Sequence, residues 1–320
     1  MKKISIIVLS LVIVMALFIS CHGGTERAPR EFLQISTSAI GGTWHASGAA
    51  WAQLISQNSH FIAVNSTSPG LEFETMQRLE VGQVQLGFSG IGTAHLGRIP
   101  GKIWDEGVDV VALFATHPGF MNLIILDTPA ITSVRDLRGR TIATYTSGNY
   151  WGDMAITFLE LHGVTQENSR IMRIMKNDSA RMLSDGQIDA IFHKYGHGHG
   201  TLRQLSTARR VRFLEGEPDL TEIFLSKYPF FRVEAFGDEF GIPNALQLVS
   251  NYVAITHSSL PKETAYLVTR IWFENRPFLM NALPNIAPWL PWDNPQQDVT
   301  IPFHPGAIRY FKEVGLWREL

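Results

Sequence analysis

Between residues 33 and 274, short apolar runs with strand character alternate with stretches whose apolar residues recur at helical spacing. That alternation restricts the chain to an α/β architecture. The runs at 33–36, 61–65, 84–88, 108–114 and 122–126 read as strands, with helices over 44–57 and 70–79. A second series places strands at 141–145, 170–175 and 188–192, with helices over 150–162 and 180–185. Alternation of this kind predicts parallel sheets flanked by helices, and two such series predict two α/β domains. A later strand over 246–256 leads to a helix over 261–274, with Pro261 near its first turn. The Pro- and Trp-rich segment 282–305 is expected to pack irregularly over one domain. There are no heptads, tandem repeats or helix-turn-helix pattern.

Composition then removes several function classes. With 45% apolar and only 18% charged residues, the chain is a core-forming globular protein. Its 27 basic and 29 acidic residues leave a net charge of −2, so there is no electrostatic footprint for nucleic acid. A single cysteine, Cys21, excludes an internal disulfide framework and a four-cysteine zinc site.

That cysteine ends a secretion-type segment. Lys2 and Lys3 precede an uncharged run from Ile4 to Ile19, which is short for a bilayer span of about 20 residues. A lone Cys at this place resembles a lipoprotein cleavage site, where the thiol is acylated and becomes the new N-terminus; an uncleaved membrane anchor is the alternative. Residues 1–21 therefore read as a lipoprotein-like signal and 22–30 as a polar tether. The rest of the chain is expected in the periplasm or at the outer face of a membrane, lipid-anchored through Cys21.

In open α/β sheets, ligands bind beyond the carboxyl ends of strands, so the loops after each strand carry the candidate site. The first, 37–44, offers Gly42 for close backbone approach, Thr43 as a cap and hydroxyl donor, and Trp44 as an apolar wall. A helix starting there presents N–H groups to a carboxylate or phosphate, although a plain βα turn would use the same residues. The loop 146–151 repeats the design with Ser147, Gly148, Asn149 and Tyr150, so the two could face each other across a cleft. Of the adjacent Tyr150 and Trp151, one is expected to face that cleft. Thr67 and Ser89 stand in two further hydroxyl-rich loops.

The run 193–200 reads His-Lys-Tyr-Gly-His-Gly-His-Gly. His193, His197 and His199 could ligate a metal, Lys194, His197 or His199 could supply positive charge and donors to an anionic ligand, and a bland polar loop is the third reading. Catalysis has weaker support. Residues 87–91 approach a nucleophile elbow around Ser89 but carry Ile91 where the last glycine belongs. HExxH, Walker A and dinucleotide-binding patterns are absent, so no cofactor is expected.

Several segments, collinear over residues 33–315, resemble the TAXI family of TRAP-transporter solute receptors. They are Gly41-Gly42-Thr43-Trp44, 79–88 (LEVGQVQLGF), 133–140 (SVRDLRGR), Ser147-Gly148 and 184–192 (SDGQIDAIF), followed by 227–230 (KYPF), 267–275 (LVTRIWFEN) and 301–315 (IPFHPGAIRYFKEVG). The resemblance implies an α/β chain with a two-lobed, type II periplasmic-binding-protein fold, a Venus flytrap. It places one lobe over 31–125 plus 247–320 and the other over 126–246. It further implies a monomeric, non-enzymatic receptor that closes on a small organic acid or amino acid and hands it to an ion-gradient-driven TRAP permease. Within the family's loops, Asn149 stands where a Thr hydroxyl is usual, and Thr67 lies in a loop lacking the usual Gly-Gly pair. Lys194 and the His-Gly-His run depart from a small, Pro-containing segment. An ABC-importer receptor, a sensor input module, and a secreted hydrolase or metal-binding protein using Ser89 or the histidines are the other readings.

Overall fold

Two long strands organise the molecule. The structure is a computed structural model that describes residues 31–38, 42–67, 71–146 and 150–319. The expected signal with Cys21, the tether, and the loop residues Ser147, Gly148 and Asn149 lie outside the described residues. Strands β1 (Phe32–Thr37), β2 (Ile62–Thr67) and β3 (Leu86–Gly90) alternate with helices α1 (Thr43–Asn58), α2 (Leu71–Glu80) and α3 (Ile91–Gly97). Strand β4 (Val110–Leu126) then leads to β5 (Thr141–Thr144), α4 (Tyr150–Leu161), β6 (Arg170–Arg173), α5 (Lys176–Ser184) and β7 (Ala190–Tyr195). Next come α6 (Gly200–Ala208), β8 (Val211–Phe213), α7 (Pro218–Lys227), β9 (Arg232–Phe236) and β10 (Ala245–His257). The chain closes with α8 (Lys262–Glu274), α9 (Arg276–Ala282) and α10 (Pro305–Glu313).

The strands form one mixed sheet in the order β2-β1-β3-β10-β4-β7-β5-β6, with β8 on β4 and β9 on β10. The sequence pattern predicts two parallel sheets, and parallel pairing does hold at each end, where β1 joins β2 and β3, and β5 joins β6 and β7. Between the ends, β4 and β10 run antiparallel to each other and change outer neighbours along their length. β10 leaves β9 for β3, while β4 reaches β7 and β8 only in its second half.

The sequence reading expects separate strands at 108–114 and 122–126. The structure instead carries one strand through them, buried at 16 of its 17 positions. Pro118 has no N–H to donate, and it lies opposite Asn251, where the register shifts before Val253. The missing donor thus falls at an irregularity in the ladder.

Burial on both faces explains the near-continuous apolar run of β4. Trp51 of α1 anchors the adjoining core, donating its indole N–H to Val268 O at 3.1 Å and meeting Trp272 edge-on at 5.7 Å. The expected irregular tail lies along the first half of β4, where Ala115 and Ala112 donate to Pro295 O and Pro302 O, each at 2.8 Å. No helix of the described residues is long and apolar enough to cross a membrane.

Candidate functional site

A cavity of about 1240 Å³ is lined by elements from both halves of the sheet. Its walls come from the start of α1 (Gly42, Thr43, Trp44), Glu72 of α2, His117 of β4, Tyr145 after β5 and Trp151 of α4. Lys176 of α5, Lys194 of β7, the segment 196–200, Tyr252 of β10 and residues 282–286 complete them.

Lys194 is the centre of the polar chemistry. Its ammonium, in a side chain only 1% exposed, donates to Ser250 Oγ at 3.0 Å. It sits 3.8 Å from the Trp151 ring centroid and 4.1 Å from that of Tyr252. Cations favour such aromatic faces, most of all when desolvated. Burial pulls this ammonium down to about 7, opposed by the field of Glu72 and Asp298.

Glu72 is its buried counter-charge. Trp151 Nε1 donates to both carboxylate oxygens, at 3.2 and 3.3 Å, and Thr93 and Gly90 supply further hydrogen bonds. Burial raises the Glu72 pKa, against those hydrogen bonds and the charge of Lys194. Two glycines make room for this cluster. A Cβ on Gly90 would stand 2.3 Å from Trp151 Cζ2, and one on Gly119 would stand 2.4 Å from Lys194 Cε.

Around the centre lie groups that lack partners among the described residues. The buried indole N–H of Trp44 has no acceptor, while its ring meets Tyr252 edge-on at 5.0 Å. His117 Nδ1 is likewise unpartnered; burial first, then Lys194 and His197, push this imidazole down to about 3, so it is neutral. Lys176 donates to Lys194 O at 2.5 Å and is drawn down to about 8 by burial. Tyr145 Oη accepts from Lys194 N at 3.0 Å. The N-cap of α1 is Gly42, which has no side chain to cap the helix, and Gly42, Thr43 and Trp44 line the cavity.

The structure thus brings Gly42, Thr43, Trp44 and Lys194 together. Other expected positions lie elsewhere. Thr67 ends the edge strand β2, is exposed, and gives its carbonyl to Arg78 at 3.2 Å. Ser89 does not sit in a loop: β3 continues through it, it is fully buried, and its hydroxyl donates to Gly90 O at 3.1 Å. A hydroxyl spent on backbone under the sheet is no nucleophile. Tyr150 lies outside the wall beside Tyr228, while the adjacent Trp151 turns inward.

The histidines do not converge either. His193 belongs to β7 rather than to a loop and shares a 2.9 Å hydrogen bond with Ser179. His197 stacks on Trp289, and His199 meets the Tyr195 ring edge-on. Among the described residues no group of three or more His, Cys, Asp or Glu side chains is arranged to hold a metal.

Glu72, His117, Tyr145, Lys176 and Tyr252 are wall residues that sequence reading misses. For His117 a usable signal exists, since it is a polar residue within a largely apolar strand run. Glu72 looks like any acidic residue in a first helical turn.

Residues 35–315 match the NMT1-like family. The chain belongs to that family. Among solved structures, this NMT1-like chain is similar to a TctC solute-binding protein from Polaromonas at 12% identity, covering 81% of this chain and 90% of that one with a TM-score of 0.54. It is also similar to the binding component of an ABC phosphonate transporter from Pseudomonas aeruginosa, at 10% identity over 80% and 79% with a TM-score of 0.52. A third is a Xanthomonas citri protein bound to chloride ion, at 10% identity over 89% and 97% with a TM-score of 0.51. The NMT1-like chain therefore has the two-lobed α/β fold of periplasmic binding proteins. The relatives named for a function are binding proteins, not enzymes.

Proposed function

We propose that this NMT1-like chain is the extracytoplasmic receptor of a TRAP-type transporter, taking a small organic acid or amino acid into the cavity and delivering it to a membrane permease. The observation that carries the reading is the set of unspent donors in one cavity. Among the described residues, the Lys194 ammonium has a hydroxyl and two ring faces as its direct contacts, and the buried Trp44 N–H has no acceptor. Buried donors without acceptors are costly, and an anionic ligand relieves that cost.

In this reading 31–125 plus 247–320 form one lobe, 126–246 form the other, and β4 and β10 are the hinge. Ligand favours closure because the closed form gives it more contacts. Thr43 and the α1 N-terminus meet an acidic group from one lobe, and Lys194 meets it from the other. The TRAP assignment rests on the sequence resemblance, as do lipid attachment through Cys21 and the monomeric state. The same fold serves ABC importers, and reconstitution with a neighbouring permease separates the two.

Native mass spectrometry of the purified mature chain, followed by thermal shifts against organic acids and amino acids, tests the proposal. A retained or stabilising acid without turnover is expected. Neither retention nor a shift across the panel overturns it.

A further inference from the structure

The glycine- and histidine-rich run after β7 takes no part in the anion contacts proposed above, yet its placement is specific. Residues 196–200 and residues 282–286 both line the cavity, and the two segments approach closely at Gly198 and Asn285. The His197 imidazole lies flat on the Trp289 indole, with ring centroids 3.5 Å apart and planes 7° from parallel. Glu239 holds the His197 side in place: its Oε1 is 3.3 Å from His197 Nδ1 and accepts the Gly198 N–H at 3.2 Å. The edges of Phe120 and Phe236 close on the same ring at 5.3 and 5.4 Å. Next to the stack, a Cβ on Gly198 would lie 3.1 Å from Asn285 Cβ, so the two backbones approach closely. Gly198 has φ +67°, a conformation in which glycine is the unstrained choice.

The two rings come from segments far apart in the chain. His197 follows β7, which pairs with β4 and β5, whereas Trp289 lies in the 287–289 turn before the tail that runs along the first half of β4. Trp289 remains 45% exposed, and His197 is its one ring partner among the described residues. An indole held in this way contributes little to either core. In the lobe assignment proposed above, with 126–246 as one lobe and 247–320 part of the other, this contact bridges the two lobes.

We infer that His197 and Trp289 form a latch across the mouth of the cavity, biasing the two lobes toward the closed arrangement and slowing solute escape. The inference rests on the receptor reading for its purpose, though not for its physics. A contact made in one of two conformations shifts their ratio by its own free energy, whatever the ligand. The aromatic cradle and Glu239 orient the imidazole beforehand, so little ordering remains when Trp289 docks.

Spin labels at Gln53→Cys on α1 and Glu160→Cys on α4, both exposed helix positions at opposite ends of the sheet, report the opening. They are placed on a Cys21→Ser background and read by pulsed distance measurement without added solute. Trp289→Ala and His197→Ala are each expected to raise the population at longer distances several-fold, and Trp289→Phe to retain most of the closed population. Distance distributions unchanged in both alanine variants overturn the latch. If Trp289→Ala fails to fold, His197→Ala decides alone. Failure of the receptor reading has a different signature: no acid retained by the wild-type chain, with the distances still responding to the latch variants.

Discussion

Lys194 keeps an ammonium where water cannot solvate it, and its neighbours explain how. Ring faces of Trp151 and Tyr252 and the Ser250 hydroxyl replace the hydration shell, while Glu72 supplies compensating charge without an ion-pair contact. Lys194→Met keeps the apolar stem and removes the charge. Loss of a charge-assisted hydrogen bond worth about 1.5–3 kcal/mol predicts affinity for the retained acid at least tenfold weaker by titration calorimetry. The pH dependence follows from the pKa near 7. Only the ammonium attracts an anion, so affinity is expected to be full below pH 7 and to fall about tenfold per unit above it. Stability without ligand moves the other way. The unfolded chain holds this proton up to the ordinary value of 10.5, so between about 7 and 10.5 the Lys194 contribution to stability rises with pH. Glu72→Gln leaves the buried cation without its counter-charge and is expected to cost about 1–3 kcal/mol in urea unfolding, with weaker binding as well. Little of this was visible in the sequence. Lys194 could be singled out as a cation beside an odd loop, but Glu72 and Tyr252 reach it only because β7, α2 and β10 converge.

At the scale of elements, the N-terminus of α1 and the middle of β4 position the site. Thr43 begins a helix whose N-cap, Gly42, has no side chain, and in the proposed reading an acid group meets the Thr43 hydroxyl and the helix N-terminus. Thr43→Ala is expected to weaken binding about two- to fivefold with an unchanged Tm, matching a helix-terminus effect of about 0.3–1 kcal/mol. In β4, Gly119 lets Lys194 and Tyr252 cross the strand. Gly119→Ala puts a methyl 2.4 Å from Lys194 Cε and 2.9 Å from the Tyr252 ring. Far-UV circular dichroism is expected to remain native while acid retention in native mass spectrometry is lost, because the lysine must leave its place. The start of α1 was legible, since Gly-Gly-Thr after an apolar strand run signals a βα turn. The continuity of β4 was not. Pro-Gly is a turn signal by local rules, and only pairing with β10 supplies the irregularity that accommodates Pro118.

Across the whole molecule, the sheet is continuous from β2 to β6, and one apolar cluster extends from Leu33 and Trp51 through Phe114 to Trp151 and Phe192. Lobes sharing a sheet and a core cannot unfold independently without exposing the shared surface. Equilibrium urea unfolding of the mature chain is therefore expected to give one transition, coincident by tryptophan fluorescence and far-UV circular dichroism. Two separated transitions would show that the crossing strands do not couple the ends. Saturating acid at about 100 times Kd is expected to add roughly 2.7 kcal/mol to that transition, since only the folded chain binds it.

By itself, the sequence determined the alternation of strands and helices, the α/β class and the start of α1. These depend on hydrophobic period, turn residues and motif order, all of which are local or collinear. Tertiary structure decided that two series of strands share one sheet, that Ser89 is interior, and that Trp151 rather than Tyr150 faces the cavity. It also decided that the three histidines separate and that Glu72 meets Lys194. Each of those outcomes is set by which distant segments come together, because burial, electrostatic field and partner are properties of a place in space.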